Sequence, residues 1–324
     1  MHVRLLATFV AVLAVSLAAP AKAQADYPMK PVRIVVPQSP GSGGDVVARL
    51  LAERLQADLK QTFVIENKAG ANGIVAAAGL AKEAADGYTL MLAGVSQIAF
   101  NQHLYKNAGY DAFKDFSFVA PVVDTPFVLV VSKQSGIKDL AGLLQRARSK
   151  LLPVNFASAG PGNSTHLSME MMAARAGVKL THVAYKGSGP ALLSVVAGET
   201  EAMVSVLGTA LPQIASDKVV AVAVFGNRRF AQLPTVPTLK EAGVDVPAMP
   251  GWYALVAPKN LDAKLAVRLA AAVQRALADP AVKGKLDGMS LEAISGTGAD
   301  IQKRAETDSK VWGDFIKANG IQAE

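Results

Sequence analysis

The chain of 324 residues has no cysteine, carries a net charge of +7 and is 51% apolar. The absent thiols exclude disulfides and thiolate metal sites. The basic charge is scattered, without a Lys/Arg cluster or interleaved aromatics, which excludes a nucleic-acid footprint, and the length suits one or two domains with their own cores.

The first predicted segment is an export signal. His2 and Arg4 make a short basic start, Leu5–Ala19 is apolar, and Ala21-Lys22-Ala23 fits the small-x-small cleavage rule. Cleavage is expected after Ala23. An apolar run of about 15 residues is too short to span a bilayer core. With no cysteine to carry a lipid, the mature chain is expected to be free of a membrane anchor. It loses Arg4 and Lys22, so its charge falls from +7 to +5.

The next predicted element is a strand over Val32–Pro37. It runs into Gln38-Ser39-Pro40-Gly41-Ser42-Gly43-Gly44-Asp45 and then a helix with Val47, Leu51, Leu55 and Leu59 on one face. Strands follow at Phe63–Glu66 and Thr89–Leu92, and Phe118–Pro126 reads as a crossover. After a strand over Phe127–Ser132, the strand Pro153–Ala157 repeats the first device: it runs into Ser158-Ala159-Gly160-Pro161-Gly162-Asn163-Ser164-Thr165 and a helix with Leu167, Met171 and Ala174. Further strands are His182–Tyr185, Ala202–Val206 and Val219–Phe225. The Pro-rich run Leu233–Gly251 reads as a return crossing, before a last strand over Tyr253–Ala257. Beyond Pro258 the pattern is helical. One helix has the stripe Leu265, Leu269, Val273 and Leu277. Another opens at Thr297-Gly298-Ala299-Asp300, a capping-box pattern, and buries Ile301, Ala305, Trp312 and Ile316. Gly320 fits its C-cap.

The strands are apolar runs rather than alternating ones, the pattern of parallel sheets covered by helices on both faces. The doubled unit of strand, Gly/Ser loop and helix N-terminus places unpaired N–H groups at the positive end of a helix dipole, where anions bind. Two such units predict two α/β lobes closing on one small anion. Lobe one is expected at 24–125 plus 249–324, and lobe two at 126–248.

The first loop is expected to hold one end of the ligand through Gln38, Pro40, Gly41, Ser42 and Gly43, with Asp45 as helix N-cap. The second is expected to hold the other end through Ser158, Gly160, Gly162 and Asn163, the last as cap or amide donor. His166 reads as structural. Ser96 and Asn101 follow the carboxyl end of the third strand, where open α/β sheets bind ligands. Tyr185 is a candidate wall, Lys186 a candidate carboxylate partner, and Trp252 reads as core or hinge packing. Catalytic chemistry finds no motif. There is no Gly-x-Ser-x-Gly elbow, no metal-ligand spacing, and Gly41-Ser42-Gly43-Gly44 lacks the Lys-Ser/Thr of a phosphate loop. No enzyme activity, metal or cofactor is expected.

Further motifs follow in order: Tyr27-Pro28, Lys30-Pro31, Arg33-Ile34-Val35-Val36-Pro37, Pro40-Gly41 with Asp45, and Glu66-Asn67 with Gly70-Ala71 and Gly73. Then come Asp86-Gly87-Tyr88-Thr89-Leu90, Ser158-Ala159-Gly160 with Gly162 and His166-Leu167, Tyr185-Lys186-Gly187, Pro234-x-Val236-Pro237-Thr238, and Trp252. In this register the chain resembles the substrate-binding receptors of tripartite tricarboxylate transporters, the Bug family. The resemblance covers nearly all of the mature chain. It implies an α/β, two-lobed periplasmic-binding-protein fold of the type 2 kind, with two mixed or parallel sheets flanked by helices and a two-segment hinge. It further implies a monomeric periplasmic receptor, without cofactor, that captures a small organic acid or related polar metabolite and delivers it to membrane transporter components. The alternative is a ligand-sensing adaptor for a sensor kinase. Gln38 stands where the family has an aromatic residue, Ser42 where it has Gly, and Asn163 where it has Ser or Thr. These departures predict a more polar pocket than usual.

Overall fold

The computed structural model describes residues 27–149, 153–247 and 250–323. The expected signal segment and the lobe boundaries near residues 24 and 248–249 lie outside them. β1 (Val32–Val36), β2 (Phe63–Asn67) and β3 (Thr89–Gly94) alternate with α1 (Gly43–Leu59) and α2 (Ile74–Leu80). A single π-helical turn, Ser96–Phe100, leads through the short α3 (Asn101–Leu104) and α4 (Ala112–Asp115) into β4 (Phe116–Thr125). The chain continues with β5 (Phe127–Ser132), α5 (Leu140–Ser149), β6 (Asn155–Ser158), α6 (Ser164–Ala176), β7 (Thr181–Ala184), α7 (Ser188–Ala197), β8 (Ala202–Val206), α8 (Leu207–Ala215) and β9 (Val219–Phe225). It returns as β10 (Gly251–Pro258), α9 (Ala263–Ala278), α10 (Pro280–Gly288), the two-residue β11 (Glu292–Ala293) and α11 (Gly298–Ala318).

The strands form two mixed sheets, in the orders β11-β4-β10-β3-β1-β2 and β7-β6-β8-β5-β9. Each is buried on both faces. In the first sheet Ile34 and Val36 face a core shared with α1, α9 and α10, while Val35 faces the opposite core with Trp252, Trp312 and Ile316. In the second sheet Phe127, Leu129 and Val131 face one core, and Val128 and Val130 the other. Two-sided burial is why these strands read as unbroken apolar runs. The stripe Leu265, Leu269, Val273 and Leu277 is buried, and Thr297 with Asp300 forms the capping box.

The expected crossover over Phe118–Pro126 is narrowed to its end, at Thr125-Pro126, and the rest of that range is a strand. Residues 116–125 form β4, which pairs antiparallel with β10, and Pro126 alone separates it from β5. Pro121 has no N–H to give to a ladder, and the β10 pairing skips register on either side of it, between Tyr253/Ala254 and Leu255/Val256. A proline inside a strand is tolerated at such bulges, and that is what disguised the strand.

Pairing registers fix where the halves meet. β1, β2 and β3 are parallel, and the end of β3 at Gly94 lies beside Tyr253, at the start of β10. Gly251 lies beside Thr125, the last residue before the chain crosses. In the second sheet, Phe127 lies beside Val206 at the end of β8 and Phe225 at the end of β9. The carboxyl ends of β1–β3 and of β6–β8 therefore share the edges at which the chain passes between sheets. The loops following those strands face each other across the junction. Asp124 and Trp252, register partners beside the two crossings, are both tied to α11: Arg304 Nη1 lies 2.7 Å from Asp124 Oδ1, and Trp252 Nε1 donates to Asp308 Oδ2 at 2.7 Å.

Candidate functional site

The first loop is held by its own polar groups. Ser42, not Asp45, caps α1: its Oγ accepts from Asp45 N at 3.3 Å. Asp45, in the first turn of α1, closes the loop from beneath. Its carboxylate accepts from Gly41 N and Asn67 Nδ2, both at 2.9 Å, and from Arg49 Nε at 3.0 Å. Burial alone would raise its pKa, but Arg49, Gly41 N–H and Asn67 together hold it below the usual carboxylate value. Gln38 Oε1 accepts from Gly44 N at 3.1 Å, and Gln38 Nε2 lies 3.1 Å from Tyr253 Oη. Ser42 N and Val46 N are likewise bonded within the loop and first turn. Of the amides from Gly41 to Val46, that of Gly43, first residue of α1, has no hydrogen-bond partner among the described residues. It points along the helix axis at the positive end of the dipole.

The second loop repeats the arrangement with different residues. Asn163 caps α6, accepting from Thr165 N at 3.0 Å. Ala159 N donates to Thr165 Oγ1, Gly160 N to Ser158 Oγ, Gly162 N to His166 Nδ1 and Asn163 N to Gly160 O. Ser164, first residue of α6, again has an amide without a partner among the described residues, as does His166. The two cradles are thus narrower than the sequence suggested: most loop amides stabilise the loop, and the first helical amides stay available to an anion.

Several expected contacts take other duties. Ser158 is fully buried, and its hydroxyl lies 2.6 Å from His182 Nε2, beneath the loop. Asn101 is also fully buried. Its Nδ2 donates to Asn72 O and Tyr110 Oη, and its Oδ1 accepts from Asn72 Nδ2. Gln38 and Asn163 do add polar groups at both cradles, but Gln38 is bonded to Gly44 and Tyr253 and the Asn163 carbonyl to the α6 N-terminus. Pro40, Gly41, Ser42 and Gly43 line the rim of the first loop, and Gly160 and Gly162 that of the second. Gly41 takes φ +79, open to a residue without Cβ. Ser96 is buried at the end of β3, and its hydroxyl has no partner among the described residues. Tyr185, half-buried, follows β7 and donates its N–H to Ser158 O. Lys186 is exposed beside it.

Two contributors were not anticipated. Tyr253 lies over Gly94 and beside Gln38, while its neighbour Trp252 points into the opposite core. Strand parity separates adjacent residues in this way, and that signal was present in the sequence. Burial raises the Tyr253 pKa, against the Gln38 bond, so the phenol stays neutral. Asn72, in the turn after β2, donates to Gly162 O at 3.1 Å and so joins the loops of the two halves. Two surface hollows, about 480 and 690 Å³, flank α11 and include no residue of either loop. We place the candidate site at the two facing loops, where the Gly43 and Ser164 amides have no partner among the described residues.

Beneath the second loop, the rings of His166 and His182 stack at 3.8 Å, with Phe156 5.0 Å from His182. His166 Nδ1 accepts the Gly162 N–H, which puts its ring proton on Nε2, 3.7 Å from Glu170. Burial, and then the neighbouring His166 against the weaker pull of Glu170, push the His182 pKa down to about 4. The unfolded chain therefore binds this proton first. Neutral His182 supports the fold fully above pH 6.5, and the support is lost as pH falls from 6.5 to about 4. Allowing for residual exposure of the ring, the expected loss is about 2 kcal/mol. Urea midpoints at pH 7, 5.5 and 4 check it: His182→Gln should flatten the profile, and equal slopes in both proteins would refute the assignment.

Known proteins resemble this chain over most of its length. The family model described as TctC, tripartite tricarboxylate transporter family receptor, matches residues 47–321. Protein BugT of Bordetella pertussis is 34% identical over 307 residues, 94% of each chain. The structure of R. palustris Rpa4515 with adipate is 31% identical, with a TM-score of 0.86, over 92% of this chain and 99% of that one. MatC (Rpa3494) from Rhodopseudomonas palustris with bound malate is 30% identical, with a TM-score of 0.82, over 90% of this chain and all of that one.

Proposed function

This chain belongs to the tripartite tricarboxylate transporter receptor family, which is one of periplasmic solute-binding receptors and not of enzymes, and from that premise we propose that it captures a small dicarboxylate between its two halves and delivers it to a membrane transporter. The observation that carries the reading is the pair of facing loops, each with a first helical amide left for an anion, at Gly43 and Ser164. Adipate and malate in the two related structures support a ligand with a carboxylate at each end. The residues 24–125 with 249–324 act as one lobe and 126–248 as the other, with Thr125-Pro126 and the return before β10 as the hinge. Gly43 with its loop holds one carboxylate, Ser164 with Gly160 and Gly162 the other, and Ser96, Tyr185 and Lys186 complete the wall. Charge-assisted hydrogen bonds contribute about 1.5–3 kcal/mol each. Three or four reach the roughly 8 kcal/mol of a micromolar site before association costs.

The test is a thermal-shift panel on mature protein refolded to remove carried-over ligand. It holds C4 to C6 di- and tricarboxylates, acidic and neutral amino acids, and aromatic acids. At 100-fold excess over Kd, binding adds about 2.7 kcal/mol, a rise of roughly 4 °C for a chain of about 300 residues. Dicarboxylates are expected to give that rise and neutral amino acids none. A response confined to neutral compounds, or a flat panel with folded protein, would refute the dicarboxylate reading. Co-purification with the membrane components of a tripartite transporter tests the delivery step.

A further inference from the structure

We propose that Asn72 is the positioning residue that latches the two halves together over a bound ligand; the proposal rests on the receptor reading above. Asn72 lies in a turn, Gly70-Ala71-Asn72-Gly73, in which all four residues have positive φ, at +132°, +45°, +50° and +82°. Two of them carry a side chain, in a region costly for L-residues. The turn is held there by its surroundings. The main-chain oxygen of Asn72 accepts from Gln97 Nε2 at 2.8 Å and from Asn101 Nδ2 at 3.2 Å. The side-chain Nδ2 then uses both protons, one on Asn101 Oδ1 at 2.9 Å and the other on Gly162 O at 3.1 Å. Buried Asn101 and Gln97 thus aim one N–H across the junction.

The receiving side is shaped for it. Gly162 has φ +70°, and a Cβ there would lie 2.7 Å from Leu104 and 3.5 Å from Asn72 Nδ2. A glycine allows the two backbones to approach this closely. The amide of Gly162 is anchored on His166, and the residue after it caps α6. Gripping the Gly162 carbonyl therefore sets the position of the Ser164 amide. The ligand and the latch favour the same arrangement, which is the condition for binding to drive closure.

Asn72→Gly is the discriminating variant, because glycine keeps the left-handed turn while removing the amide. Malate and adipate are the probes. Losing one cross-junction hydrogen bond should weaken binding about three- to tenfold, through faster dissociation with an unchanged association rate. A purely structural role would lower Tm without moving the dissociation rate. Asn72→Asp should be weaker still, because its carboxylate faces two acceptors, Asn101 Oδ1 and Gly162 O. Hydrogen exchange of the ligand-free protein gives an independent reading: the segment 159–167 should exchange faster in Asn72→Gly than in the wild type. Unchanged affinity, or unchanged exchange, overturns the proposal. If wild-type protein binds neither acid while the exchange difference is seen, the latch stands and the dicarboxylate reading fails instead.

Discussion

Trp252→Ala is expected to destabilise the protein by about 3–5 kcal/mol, the range for truncating a fully buried large aromatic, and to lower Tm by about 5–8 °C. Trp252 is 1% exposed and packs among Trp312, Ile316 and Phe100. Its indole N–H is the donor to Asp308 Oδ2, and burial already raises the Asp308 pKa against the pull of Trp252 and Arg304. The truncation opens a cavity and removes a donor from a buried carboxylate, and the two losses add. Trp252→Phe should fill most of the cavity and lose only the hydrogen bond, costing about 1–3 kcal/mol. Urea denaturation of the three proteins at pH 7 checks the order. A cost below about 1 kcal/mol for Trp252→Ala would mean that the core collapses around the site. Trp252 is paired with Asp124 beside both crossings, so the same variant loosens the anchorage of those crossings on α11.

Gly208→Ala is expected to weaken binding of the proposed dicarboxylate ligand at least tenfold and to cost about 1–3 kcal/mol of stability, the range for overpacking. Gly208 lies in the first turn of α8, where a Cβ would stand 1.9 Å from the carbonyl oxygen of Met289 and 2.7 Å from its carbonyl carbon. Both are main-chain atoms, so no rotamer change relieves the clash. Met289 ends α10 on the first sheet's side, so the methyl group forces the two halves apart where their backbones meet. Gly284→Ala in α10 is the control: nothing lies within 4 Å of its Cβ, and alanine in a helix should be neutral or stabilising by up to about 1 kcal/mol. Calorimetric titration and Tm of the two variants decide the matter. Wild-type affinity in Gly208→Ala would show that α8 gives way locally and that the halves do not need this approach.

Local chemistry made much of the architecture legible. The apolar runs of β1, β3 and β5, the Leu265–Leu277 stripe, the Thr297–Asp300 capping box and the doubled strand–loop–helix unit are properties of short segments, and the structure has them all. β4 was hidden by Pro121, a residue whose usual meaning in a strand is a break, and which only the two register shifts against β10 accommodate. The same difficulty affected the site. Gly and Ser in a loop announce available amides. Whether an amide is available depends on which side chains reach it, some four residues on, as His166 does for Gly162, and some held by partners far along the chain, as Tyr253 holds Gln38.

By itself, then, the sequence determined the α/β class, the order of most elements, the two strand–loop–helix units, and the family to which the chain belongs. These depend on residues within one turn or one strand of each other, where periodicity and capping act. The tertiary structure alone decided which donors remain free, that Ser42 and not Asp45 caps α1, that Asn101 and Ser158 support the loops from below, and that Asn72 reaches Gly162. The Ser42 cap spans three positions and turns on the exact loop geometry, whereas the Asn72 contacts join residues 29 and 90 positions apart. They depend on how two sheets bring their carboxyl edges together, a relation that no local pattern encodes.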